Sequence, residues 1–270
     1  WRAQIAAPAT GREMAARLLQ GDMLAKAALA LPESADGYAV AGAVPPYHMP
    51  GCIVEHHPAE IGLPTGHLRG AAHGYACFFT ESFLDELAHR AGMEPLSWRI
   101  GMLGGDGRLA RCLSTAAALG GWDGGGTGSG QGIACHSMAG SYIAVLAEAE
   151  VDDHGRPGVS RLVAAVDCGR QVNPDLIRQQ IEGGLIFGLA AATGAGVSVE
   201  RNQITAHRLG QLGLPRLADT PDITVELIAS NADPGGVSDL GMVAVAPAVA
   251  NALFSATGGR SRGLPFGRVA

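Results

Sequence analysis

One helix constrains this chain more than any other feature. Asn173-Pro174-Asp175 supplies an N-cap, a proline preset for the first turn and an acid facing the positive end of the helix dipole. Ile177, Ile181, Leu185 and Leu189 then mark a buried stripe. Beside it run Gln180, Gly184 and Gly188, a stripe with almost no side-chain bulk after the glutamine. Each helical glycine costs ~1 kcal/mol in propensity, so the spacing implies that something comes close to this face. A second backbone, a flat ligand or tight packing of the helix on a sheet would each use it.

Composition narrows the class. Of 270 residues, 47% are hydrophobic and the formal charge is −6, which excludes a disordered chain and argues against a basic, phosphate-neutralising nucleic-acid binder. The length is ample for a core without disulfides. Glycine, at 40 residues, is about twice its usual share. Cys52, Cys77, Cys112, Cys135 and Cys168 stand singly, as expected of mostly buried thiols in a reducing compartment. Their spacing cannot hold an iron–sulfur cluster within this chain, so any redox chemistry passes electrons to another subunit. No run approaches the ~20 apolar residues of a membrane span, and a soluble chain is expected. It opens on Trp1 without a signal segment, as a processed piece would.

Residues 12–31 predict a helix interrupted at Gly21, residues 37–50 a strand leading into an extended crossing, and residues 52–57 a short strand. From Tyr75 to Ala91 the period turns helical, with Phe79, Phe83, Leu84 and Leu87 on an inner face and Glu81, Asp85, Glu86 and Arg90 outside. Shorter helices follow over 94–103 and 109–119. Residues 123–132, six of them glycine, predict a flexible linker between two subdomain portions, 1–122 and 133–270. They are not a phosphate loop, since no Lys-Ser/Thr ending or helix follows. Residues 133–151 read as strand, and 141–151 with 159–167 as an antiparallel hairpin. A strand over 222–229 and a helix over 247–257 close the chain, and the sum is an α+β fold with mixed or antiparallel sheets and packed helices.

Chemistry is sparse by motif alone. The nine histidines have no zinc-ligand spacing, no metal ligand set is assigned, and the hydrolase serine elbow is absent. Asp239 differs in kind, being an acid within the glycine-rich turn 234–241 just ahead of a helix, although by itself an acid in a turn is usually just a turn former.

Taken together, several stretches resemble one family. Asp167-Cys168-Gly169-Arg170-Gln171-Val172-Asn173-Pro174-Asp175, then Gln180-Ile181-Glu182-Gly183-Gly184 and Phe187-Gly188-Leu189, resemble a signature of the xanthine oxidase family of molybdenum hydroxylases. Arg69-Gly70 ahead of residues 79–88 is similar to the family's arginine loop and following helix. Pro234-Gly235-Gly236-Val237-Ser238-Asp239-Leu240-Gly241, with Ala246-Pro247-Ala248 and Asn251-Ala252, is similar to the loop presenting its catalytic acid. The nearest branch is the molybdopterin-binding beta subunit of isoquinoline 1-oxidoreductase type, which includes aldehyde dehydrogenases.

The resemblance implies water-derived hydroxylation of an aldehyde or N-heterocycle on a molybdenum cofactor, as molybdopterin or its cytosine dinucleotide. A neighbouring carboxylate serves as general base. It assigns Asp239 as that base and Arg69, Gly70, Ala71, Ala72, Gln180, Gly236, Val237 and Ser238 to the cofactor wall.

Two departures matter. Where the family has Gly-Glu this chain has Ser238-Asp239, one methylene shorter, and the family's remaining cofactor loops are missing. The implied partners are therefore a complementary N-terminal-half molybdenum subunit and a [2Fe-2S] subunit, with a small-molecule substrate; the compartment, cytoplasm or periplasm, stays open. The alternative is a catalytically silent assembly subunit that has lost the molybdenum site.

Overall fold

The computed structural model describes residues 1–18 and 35–267. Strand β1 (Arg2–Ala7) pairs in parallel with β2 (Ile53–Pro58), and α1 (Thr10–Leu18) lies between them in sequence. The helices α2 (Ala71–Arg90), α3 (Pro95–Met102) and α4 (Gly107–Gly120) follow. Next come β3 (Gln131–Met138), β4 (Ser141–Val151), β5 (Pro157–Asp167), α5 (Pro174–Thr193), the short pair β6 (Val199–Glu200) and β7 (Gln203–Ile204), and β8 (Asp222–Leu227). Two helices, α6 (Leu240–Val243) and α7 (Val245–Thr257), complete the described chain.

The central sheet has the order β3-β4-β5-β8, antiparallel except for the parallel β5–β8 pair, so the α+β expectation holds. Its strands read as continuous apolar runs because both faces are covered. Alternate residues go to opposite sides: Ala134, Ile143, Val145 and Ala147 join α5 and α7 in one cluster, while Ile133, Cys135, Ala144 and Ala165 join α4 in another. Gly132 lets α7 onto the sheet, since a Cβ there would lie 2.1 Å from the Ala252 nitrogen.

That contact corrects the linker expectation for residues 123–132. The segment is tied down by Gly128 N–H to the Ser255 carbonyl and by the Ser129 hydroxyl to Asp123, and residues from both sides of it share the α4 cluster. The strand expected over 133–151 is two strands, reversed at Ala139-Gly140, where both residues have positive φ. Residues 37–50 form no strand: Gly37–Val40 is a short 3-10 turn capped by Asp36, and the prolines that follow lack ladder donors. The helix expected over 12–31 begins at Thr10, and its part beyond residue 18 lies outside the described residues.

Two residues on each face of α2 depart from the amphipathic reading, while Leu84 is buried and Arg90 exposed as expected. Phe79 and Phe83 are 50% and 44% exposed, whereas Glu81 and Asp85 are buried around Arg99 of α3. Arg99 donates to Glu81 at 2.8 Å and to Asp85 at 3.4 Å, Tyr47 Oη donates to Glu81 at 2.7 Å, and Arg260 pairs with the other Asp85 oxygen. Buried carboxylates persist where a cation and further donors satisfy them, and a face drawn from hydropathy alone cannot register a partner 14 or 18 residues away.

Among the described residues, Leu240–Thr257 is long and apolar enough to cross a membrane, with mean hydropathy 1.6 over 18 residues. It is 83% buried inside the fold, the position of a core helix.

Candidate active site

The site grows from the close approach of α6 to α5. A Cβ on Gly184 would lie 2.8 Å from Gly241 Cα, and one on Gly188 would lie 2.6 Å from the Met242 carbonyl oxygen. Of the uses open to the glycine stripe, the one taken is main chain against main chain. It seats the turn carrying Ser238 and Asp239 beside Gln180, one helical turn before Gly184.

Arg69 closes the arrangement. Its Nε donates to the Ser238 carbonyl at 2.8 Å, and its Nη2 donates to the Gln180 carbonyl at 3.1 Å and to Gln180 Oε1 at 3.0 Å. The guanidinium is 4.0 Å from an Asp239 oxygen, and that carboxylate is 41% exposed. Arg69 reaches in because Gly70, with φ of 84°, turns the chain into α2; a Cβ there would strike Met242 Sδ at 2.0 Å. Ala71 (φ 44°) and buried Ala72 begin the helix.

The structure thus brings together Arg69, Gln180, Ser238 and Asp239, with Gly70, Ala71 and Ala72 adjoining. Gly236 is placed differently: its N–H donates to the Ala139 carbonyl at 2.8 Å, so it packs on the β3–β4 turn. Val237 lines a hollow of about 230 Å³ with Gln180, Ile177 and Cys168. A cleft of about 440 Å³ opens by Arg69, Ala72, Gly188 and Met242. A cavity of about 550 Å³ lies toward the C-terminal end of α5 by Leu189, Thr193 and Asp219, and touches none of these groups.

Sequence reasoning passed over two histidines beside this cluster. His73, in the first turn of α2, bonds through Nδ1 to Nε2 of His136 on β3 at 2.8 Å. Burial lowers the His136 pKa to about 3; it also lowers that of His73, where the charge of Asp239 pulls the other way. The available signal was a histidine directly after the apolar run Ile133-Ala134-Cys135 of a strand.

A profile of the molybdopterin cofactor-binding domain matches residues 121–221. Isoquinoline 1-oxidoreductase subunit beta of Brevundimonas diminuta is 30% identical over 74% of this chain and 26% of its own length. Residues 121–221 thus carry a molybdopterin cofactor-binding domain, and the chain is similar to molybdopterin-binding subunits of the xanthine oxidase family. The membrane-bound aldehyde dehydrogenase [pyrroloquinoline-quinone] of Gluconacetobacter polyoxogenes is 28% identical over 77% of this chain and 30% of its own length. The chain therefore spans between a quarter and a third of these curated relatives. In fold it matches the aldehyde oxidoreductase of Desulfovibrio gigas with a TM-score of 0.71, at 16% identity, over 85% of this chain and 44% of that one.

The residues fit one wall of the family's cofactor. They offer an amide, a guanidinium, a carboxylate and the main chain at the start of α2. No group of three or more His, Cys, Asp or Glu side chains among the described residues could hold a metal directly.

Proposed function

We propose that this chain forms one half of a molybdenum hydroxylase site that oxidises an aldehyde or N-heterocycle. The observation that carries the reading is the single guanidinium of Arg69, which joins the Gln180 helix to the Ser238-Asp239 turn. When bound, the molybdenum cofactor, as molybdopterin or its cytosine dinucleotide, supplies the redox chemistry. Gln180 and the main chain of 70–72 orient it. Arg69 holds the wall together, and Val237 and Gly236 set the turn. The Asp239 carboxylate acts as general base, taking the proton of the attacking water-derived oxygen. A complementary molybdenum half completes the pocket, and electrons leave through a [2Fe-2S] subunit.

The shorter reach of Asp239 compared with glutamate favours a second reading, a silent assembly subunit, because a displacement of ~1 Å can cost on the order of a hundredfold in rate. Metal and cofactor analysis of the native complex, with Asp239→Ala beside it, tests both. Stoichiometric molybdenum with pterin and a fall in turnover of at least ~100-fold are expected. Absence of molybdenum, or pyrroloquinoline quinone in its place, overturns the enzyme reading.

A further inference from the structure

β1 and β2 form a two-stranded parallel sheet with one edge left open. Ile53 N–H donates to the Trp1 carbonyl and Ala59 N–H to the Ala7 carbonyl. Odd-numbered residues of β1 therefore direct their main-chain groups to β2, and Arg2, Gln4 and Ala6 turn theirs the other way. Among the described residues no strand pairs with that side. Natural edges are usually blunted by a charge or a proline. Here Arg2, the only charge on β1, is held to Glu55 of β2 at 2.8 Å, and β1 contains no proline. The far strand β2, in contrast, ends in Pro58, which has no N–H to offer. Beside the open edge a groove of about 240 Å³ is lined by Ala3, Ile5 and Ala76 together with Phe79 and Phe83 of α2, the last two 50% and 44% exposed. Unpaired main chain and unburied aromatic rings thus lie side by side.

Two observations specify the occupant. Parallel strands occur in sheets covered on both faces, and two strands alone are marginal, so the element that fits this edge is a further strand. The chain spans between a quarter and a third of its curated relatives, and 44% of the Desulfovibrio gigas chain whose fold it shares. Most of that architecture is therefore carried by other segments. We infer that the β1 edge takes an extended strand of the complementary molybdenum half, bonded to the main chain of Arg2, Gln4 and Ala6, with every second side chain apolar and set against Phe79 and Phe83. The inference rests on the two-half reading above and names the surface through which the halves join.

Amide hydrogen exchange, resolved residue by residue in the native complex and in the full chain separated from it, reads the edge directly. The outward amides of Gln4 and Ala6 should exchange at least roughly tenfold more slowly in the complex, while those of Ala3 and Ile5, already bonded to β2, change less. Gln4→Pro removes one outward N–H and no bond to β2. It should weaken association of the halves by roughly tenfold, whereas Gln4→Ala, which keeps the N–H, should leave it unchanged. Equal exchange in the two samples, or equal affinity of the two variants, overturns the inference. So does protection that persists in the separated chain, whether from its own residues 19–34 or from a second copy; concentration-dependent sedimentation would identify the copy. A native complex with no complementary half overturns the two-half reading too, whereas a complementary half beside a freely exchanging edge overturns this inference alone. Should Gln4→Pro not fold, the exchange measurement decides by itself.

Discussion

Arg69 and Gln180 are 111 residues apart in the chain, and their side chains meet at 3.0 Å. The same guanidinium holds the Ser238 carbonyl, so one side chain joins the start of α2, the middle of α5 and the turn ahead of α6. Three stretches that each carry part of a family signature become one surface through that contact.

Arg69→Met should therefore disconnect the surface. Hydrogen bonds from a charged donor contribute about 1.5–3 kcal/mol, and partial exposure brings the expected loss of stability to the low end. The larger expected effect is loss of cofactor retention, read as molybdenum per chain after dialysis. Arg69→Lys should rescue only part of it, because an ammonium cannot serve two acceptors in the geometry of the fork.

Gly184→Ala should show that α5 and α6 touch through backbone. With a Cβ 2.8 Å from Gly241 Cα, the helices must part. Overpacking of this kind costs about 1–3 kcal/mol, expected as a fall in Tm of about 2–4 °C per kcal/mol for a chain near this size. An unchanged Tm would mean that α6 can yield freely.

Arg99→Met should be among the most damaging single changes in the described chain. It leaves Glu81 and part of Asp85 buried without their cation, and breaking such a pair from one side costs about 3–5 kcal/mol. A urea melt reads this directly. A shift of under about 1 kcal/mol would show that Arg260, Tyr47 and the Cys135 N–H suffice for the two carboxylates.

Stability should fall in mild acid partly because of His136. Unfolded, its imidazole takes a proton near 6.5; folded, burial delays this to about 3. The unfolded chain thus binds more protons between those values, and this contribution to stability, whole above pH 6.5, is lost as pH falls toward 3. His136→Gln should flatten the decline by up to about 1.4 kcal/mol per pH unit. Chemical denaturation at pH 7, 6 and 5 checks it, and parallel slopes for both proteins would refute it.

Much of the architecture was legible in the residues. The Asn173-Pro174 start, the hairpin of β4 and β5 and the glycine end of α7 each carry a local cause: a cap, apolar runs on either side of a turn, a left-handed residue. What escaped depends on partners distant in sequence. Glu81 and Asp85 look like a solvated face until Arg99 is beside them. The glycines of 123–132 look like slack chain until α7 occupies the space at Gly132. In the site, the resemblance found Arg69, Gln180, Ser238 and Asp239, and the fold gathers them. His73 and His136 escaped because each is ordinary alone and they meet only through packing of α2 on β3.

The notch at Gly184 and Gly188 has a consequence for variation. Because Gly241 and Met242 rest on α5 through main-chain atoms, the spacing between the Gln180 helix and the turn bearing the acid works as a fixed gauge, indifferent to rotamers. The side chain at 239 can then be lengthened or shortened while its Cα stays in place. An aspartate-for-glutamate exchange alters reach alone at this position, and Asp239→Glu would restore the missing methylene at an unmoved anchor.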